Sequence, residues 1–359
     1  MGFLLPHNMS GCPFFIRSFM GRKTQKNNLT SPELLAQVNP ENIALMNDFL
    51  VYLRSTQHSE GTIAGYKNDL EIFMVWNLQN CNNKHFTHVT KREIVRYQDW
   101  LLNDNNNSPA RVRRMKSALS SMSNYISDIL DDEYENFRPI IQKIKNPVNK
   151  PVREKTVWED DELEKLLSDL VDQKQYKKAC ILALGMYSGR RKAELPRFKV
   201  SYFNEENIIF GSLYKTPEAI KTKGAGGGKM LTCYTLKNGF KPYFDLWMEE
   251  RERIGIESEW LFPSDDDQSK PMAITTLNSY ANTFSQMTGR DFYFHSLRHY
   301  FTTSLAKAGL PDDVIQKIVG WQSVALVSVY KDIDAEDEFG KYFSDGNIIA
   351  PQKVGLENL

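Results

Sequence analysis

Cysteine is scarce in this 359-residue sequence: Cys12, Cys81, Cys180 and Cys233 are the only four, and no two form a CxxC pair. That argues against a zinc ribbon and a disulfide scaffold, and points to reduced thiols in a cytosolic setting. Long apolar runs are missing as well, and no stretch approaches the ~18 residues of a membrane span. Near the N-terminus Phe3, Leu4, Leu5, Phe14, Phe15 and Ile16 are interrupted by Pro6, His7, Asn8, Gly11 and Pro13, with no basic region before them. A signal peptide is therefore not expected, and Met9 and Met20 are alternative starts. Net charge is absent too, since 45 basic residues balance 45 acidic ones. Taken alone, that balance does not suggest a polyanion partner.

What is present is ordinary globular material, 41% hydrophobic and 25% charged, long enough for two domains. The boundary is expected at Asn146-Pro147-Val148-Asn149-Lys150-Pro151, where two prolines break helix continuity. Splitting the charge there changes its meaning. Residues 1–155 hold 20 basic and 15 acidic side chains, against 25 and 30 in the remainder, so a +5 half faces a −5 half. The cations cluster at Arg111, Arg113, Arg114 and Lys116, and again at Lys143, Lys145, Lys150, Arg153 and Lys155. A basic helix face followed by a basic linker suits a phosphate backbone, although most charge runs are solvated surface.

Apolar spacing predicts helices throughout the first half. Ser59 reads as an N-cap for Ile63, Tyr66, Leu70 and Phe73, and Ser108-Pro109 opens a helix carried by Val112, Met115, Leu119, Met122 and Ile126. Residues 90–102 and 40–53 supply two more. In the second half, 159–171 and 178–187 read as helices. Strands are expected over 207–213, 218–223 and 229–236, the last two joined by Gly224-Ala225-Gly226-Gly227-Gly228. That glycine run lacks the order of a nucleotide-phosphate cradle and reads as a hairpin turn. The acidic runs at 159–162 and 265–267 lack calcium-loop spacing and read as surface.

The chemically informative segment is Phe294-His295-Ser296-Leu297-Arg298-His299-Tyr300. His295 and Arg298, three apart, share one helix face and set a proton-transfer group beside a guanidinium fork. With no acidic ligand nearby, an anion is a more natural guest than a metal cation, and phosphate matches the paired donors of arginine. Upstream lies Gly189-Arg190-Arg191-Lys192-Ala193-Glu194-Leu195; downstream lie Gly320-Trp321 and Tyr330.

In that order and company, the second half resembles the catalytic domain of the tyrosine recombinases, the family of phage integrases and chromosome-dimer resolving recombinases. Its pattern runs Arg-x-x-acid-Leu, a hairpin lysine, His-x-x-Arg, a His or Trp after Gly, and a tyrosine nine residues beyond. In the first half, Glu60-Gly61-Thr62 through Tyr66, Asp69-Leu70 and Phe73 resembles the family's core-DNA-binding domain. The resemblance covers about residues 40–345. It implies a mainly α fold with a small β-sheet: a lead-in over 1–35, a helical SAM-like core-DNA-binding domain over 36–145, a basic linker over 146–156, a mixed α+β catalytic domain over 157–345, and a tail over 346–359.

The resemblance also implies roles. Arg191 and Arg298 hold the phosphate, His295 accepts a proton, Trp321 donates its indole N–H, and Tyr330 is the nucleophile. Glu194 orients the arginines, His299 is a structural partner, and Arg190 replaces a usual apolar residue. The general-acid lysine is Lys223 by its place before glycine, with Lys221 and Lys229 as alternatives. Neither metal nor other cofactor is implied. The implied partners are double-stranded DNA, three further copies in a tetramer that exchanges C-terminal helices (Phe339, Tyr342, Phe343), and an accessory DNA-bending protein; no membrane is involved. The expected setting is the cytoplasm of a prokaryote or its phage. Only about 35 residues precede the first helix, so no separate arm-binding domain is expected. A type IB topoisomerase-like enzyme and a DNA-binding protein without catalysis are the competing readings.

Overall fold

A computed structural model describes residues 29–148, 156–222 and 230–330, together with the backbone of 343–344 and 347–348. The first stretch is helical: α1 (Pro32–Leu35), α2 (Pro40–Ser55), α3 (Glu60–Asn80), α4 (Lys91–Asp99) and α5 (Pro109–Ile129). Their starts are written locally. The Ser59 and Ser108 hydroxyls accept from the backbone N–H groups of Thr62 and Arg111, and Thr90 closes a capping box with Glu93. Val112, Met115, Leu119, Met122 and Ile126 of α5 all turn inward, meeting Phe49 of α2 and Phe73 of α3 in one core.

The second stretch buries its own core. Around the nearly all-apolar α7 (Tyr176–Ser188) pack α6 (Asp160–Asp172), α8 (Lys237–Arg253) and α10 (Phe294–Lys307), with α9 (Thr276–Thr288) against α6. The helices α11 (Asp312–Val319) and α12 (Ala325–Tyr330) close a smaller cluster with Phe301, Leu305 and Trp321.

The strands are shorter than their sequence pattern. The expected strand over 207–213 is two strands, β1 (Ile208–Ile209) and β2 (Leu213–Lys215), because Phe210 and Gly211 take left-handed φ values of 53° and 71° and turn the chain. The 229–236 strand also divides. Its first part, β4 (Met230–Leu231), pairs with β3 (Ile220–Lys221); its second, β5 (Tyr234–Leu236), pairs with β2. At the break, Thr216 donates its N–H to the Cys233 carbonyl and accepts the Cys233 N–H on its hydroxyl, both at 3.0 Å.

Phe343, expected in a terminal helix, is extended and pairs with Ile348. Helical spacing of three aromatics did not determine the backbone there, since the same short run also suits a strand pair. Phe339 and Tyr342 lie outside the described residues.

Candidate active site

Four chain segments converge at one end of α7. The helix stops at Gly189, which is left-handed at φ 59°; a Cβ there would come within 2.4 Å of the Phe301 ring. Arg190 and Arg191 follow at once. From the second segment, α10 presents His295 and Arg298 one turn apart. The third is the C-terminus of α11, closed by left-handed Gly320, where a Cβ would meet Leu231 of β4 at 2.2 Å. Trp321 comes next, and α12 ends on Tyr330, the fourth element.

The Tyr330 hydroxyl lies 3.0 Å from Nε2 of His295, so one hydrogen bond links phenol and imidazole. Rings fix the tyrosine on several sides. The His299 ring stacks on it at 4.4 Å and Trp321 leans on it at 4.7 Å. The guanidinium of Arg298 lies 4.9 Å from the Trp321 ring centre and 6.0 Å from that of Tyr330.

Beneath them the floor is cationic. Arg298 is fully buried and donates to the Gly189 and Val319 carbonyls at 2.8 and 3.2 Å, while its Nε–H is buried with no hydrogen-bond partner. Burial first, then the charges of Arg190 and Arg191, push its pKa down to about 9, which still leaves it charged at neutral pH. Half-buried Arg191 donates to Glu194 at 3.1 Å, and Glu194, 1% exposed, also accepts the Arg191 backbone N–H at 3.0 Å. His295 is held below its ordinary value, chiefly by desolvation and next by Arg298 and Arg191. A neutral imidazole beside a phenol can accept its proton; two guanidiniums below can receive an anion.

Among the described residues, no group of three or more His, Cys, Asp or Glu is placed to hold a metal ion. The fold thus gathers Arg191, Glu194, His295, Arg298, His299, Trp321 and Tyr330. Of the candidate lysines, Lys221 sits exposed on β3, its carbonyl accepting from Arg197, while Lys223 and Lys229 lie outside the described residues. The sequence pattern missed the burial of Arg190 at the centre of this junction. Its charged side chain in an apolar slot was the available signal.

The basic cluster of the first half divides three ways. Arg111 and Arg114 both reach Oδ1 of Asp69, at 2.8 and 2.7 Å, and Asp69 is 1% exposed, its pKa raised by burial to about 6 against the opposing Arg114. Arg113, Lys143 and Lys145 are exposed; Lys150 and Arg153 lie outside the described residues. Lys116, expected to contact DNA, is instead 3% exposed and donates to Gln98 at 2.7 Å and to the carbonyls of Ile144 and Lys145 at 3.0 and 3.3 Å. It ties α5 to the segment after it. A phosphate would have to break three hydrogen bonds to use it.

A phenol hydrogen-bonded to a neutral imidazole, with guanidiniums close beside them, defines a phosphoryl-transfer class of site. Comparison with known proteins gives the same class. Residues 156–337 match the model described as "Phage integrase family", and residues 45–136 match "Phage integrase, N-terminal SAM-like domain". The chain belongs to the phage integrase family, the tyrosine recombinases, enzymes that cleave and rejoin DNA.

Among curated relatives, the chain is 28% identical over 231 residues to the SPbeta prophage-derived recombinase-like protein YomM of Bacillus subtilis (strain 168). That match takes in 63% of this chain and 66% of the relative, just under two thirds of its length. Two solved structures share the fold. One is the XerH site-specific recombinase bound to palindromic difH substrate in a post-cleavage complex, with TM-score 0.61, 16% identity, and coverage of 83% of this chain and 94% of that one. The other is a lambda integrase tetramer bound to a Holliday junction, with TM-score 0.58, 14% identity, and coverage of 81% and 77%. No helix among the described residues is long and apolar enough to cross a membrane.

Proposed function

We propose that the chain is a site-specific DNA recombinase that works through a 3′-phosphotyrosyl intermediate, and the observation that carries this reading is the 3.0 Å contact between His295 and Tyr330 above Arg298 and Arg191. A phenol is almost wholly protonated at neutral pH, so it needs an acceptor and a neutralised phosphate before it can attack. His295 takes the Tyr330 proton. The tyrosine oxygen bonds to phosphorus, and the bond to the 5′-oxygen breaks. Arg191 and Arg298 hold the non-bridging oxygens as charge builds in the transition state. Lys223 gives a proton to the departing 5′-oxygen, and Trp321 adds an indole N–H. Attack by a 5′-hydroxyl of a second duplex reverses each step and restores a phosphodiester, so bond energy is conserved without ATP.

Mobile-element integration or excision is the role we favour, supported by the prophage-derived relative. Likeness to the XerH structure supports the second reading, a chromosome-dimer resolving recombinase. We also infer assembly on DNA as a tetramer, in keeping with the lambda integrase assembly. Beside Tyr330, Val324, Leu326 and Val329 expose apolar side chains at the surface, a natural seat for the tail of a second copy. We also propose the domain limits expected from the sequence, with DNA gripped by Arg113, Lys143 and Lys145 of the first half and by linker residues Lys150 and Arg153.

Trapping covalent complexes on a library of candidate DNA junctions, then sequencing the captured strands, tests the chemistry and identifies the target together. A Tyr330→Phe variant that still forms the adduct would sink the nucleophile assignment. Strand exchange between two duplexes, against relaxation of a supercoiled plasmid, separates recombinase from topoisomerase-like activity.

A further inference from the structure

Arg190 occupies a slot that the arginine motif leaves to an apolar residue, and the structure makes unusual use of it. Its side chain is 0% exposed, and it bonds two backbone carbonyls and a sulfur. Nε donates to the Ser188 carbonyl at 3.0 Å, Nη2 to the Ile318 carbonyl at 2.9 Å, and Nη1 to Sγ of Cys233 at 3.3 Å. Ser188 is the last residue of α7 and Ile318 the penultimate residue of α11. Helix-end carbonyls lack partners within their own helix and carry the negative end of its dipole, so two helix C-termini brought together need a cation between them.

Arg298 spans the next pair of carbonyls, Gly189 and Val319. The two guanidiniums therefore lie as parallel ties across the same two helix ends. Arg298 adds its own helix, α10, to that pair, whereas Arg190 adds the hairpin, since Cys233 follows β4 and donates to the Leu231 carbonyl at 3.5 Å, while Leu231 packs on Gly320. Arg190 thus touches the segment leading to Arg191, the base of the lysine hairpin, and the turn that delivers Trp321 and Tyr330.

We propose that Arg190 is a positioning residue for strand cleavage, holding the Arg191 turn, the β3–β4 hairpin and the Trp321–Tyr330 segment in register. This rests on the recombinase reading above. An apolar side chain could fill the slot, but would leave the Ser188 and Ile318 carbonyls without this donor and free α11 to shift against α7. A displacement of about 1 Å at reacting groups costs on the order of a hundredfold in rate. Because Arg190 is wholly enclosed, its loss should not alter contact with DNA.

The test compares the full-length chain with Arg190→Met and Arg190→Lys. The probe is a duplex carrying the site recovered by adduct sequencing, nicked a few nucleotides beyond the cleavage point so that the short product departs and traps the adduct. The adduct rate at saturating DNA, the DNA dissociation constant and the thermal midpoint are measured for each. We expect Arg190→Met to react about a hundredfold more slowly, with DNA affinity within about twofold of the parent. Arg190→Lys should recover part of the rate, its ammonium reaching one helix end. An unchanged rate in Arg190→Met overturns the proposal. So does a loss of rate and affinity together in proportion to unfolding, with no recovery by lysine. If the parent chain gives no Tyr330-dependent adduct, the recombinase reading and this proposal fall together; a reactive parent with an equally reactive Arg190→Met overturns this proposal alone.

Discussion

The chain contains two arginine clusters that meet their charge in different ways. In the first half, Arg111 and Arg114 converge on one oxygen of buried Asp69, locking α5 against α3. In the second, Arg191 pairs with the carboxylate of Glu194, while Arg190 and Arg298 bond backbone carbonyls and a sulfur. Buried charge is costly unless paired, and helix-end dipoles offset only part of it. The first cluster supplies its own anion. It keeps one charge in surplus, two guanidiniums against one carboxylate; the second keeps two, three guanidiniums against one carboxylate, the balance that the proposed phosphodiester would complete. The number of arginines in a segment therefore says less about a DNA contact than the number of acids folded in beside them.

The comparison can be broken at the reacting end first. Tyr330→Phe should abolish the covalent DNA adduct completely while leaving duplex binding intact, read by denaturing gel and by mobility shift. Next, His295→Ala should slow cleavage by about 10² to 10⁴-fold, the usual range for removing a general base. The pH profile of the parent adds a sign. Neutral imidazole is the active form, and its pKa lies below the ordinary 6.5, so the acid limb should fall at a midpoint below that value. A midpoint above it would mean that neither the burial of His295 nor the charges of Arg298 and Arg191 govern its proton.

Arg298→Lys should cost about 10² to 10³-fold in single-turnover cleavage, as for loss of one transition-state donor. Deleting residues 337–359 should abolish recombination between two duplexes and leave DNA binding unchanged. The smallest effects separate the cations of the first half. Arg113→Ala or Lys143→Ala should each flatten the salt dependence of DNA affinity by about one unit of slope. Lys116→Met should leave that slope alone and lower thermal stability by about 1–3 kcal/mol, the penalty for stranding buried acceptors.

Much of the fold was legible in the sequence wherever the determining interaction is local. Ser59, Thr90 and Ser108 cap helices whose apolar faces repeat at helical spacing, and cap and face lie within one or two turns of each other. The site motif was legible as a pattern of residue types in order. Less visible were the breaks in the strands. Cys233 interrupts the 229–236 run because Thr216, 17 residues away, takes both its backbone groups. Lys116 reads as one more cation on a basic helix, yet the carbonyls that bury it come from residues 144 and 145.

By itself, then, the sequence determined the helices, the division of charge between the halves and the set of side chains fit for phosphoryl transfer, since these depend on residue type and short-range periodicity. Only the tertiary structure decided which cations are free to meet an anion. Packing put Asp69 under Arg111 and Arg114, turned Lys116 inward, and tied Arg190 to a helix end 128 residues away. A charge is spent or available according to the partner that the fold brings to it, and partners so distant leave no local mark.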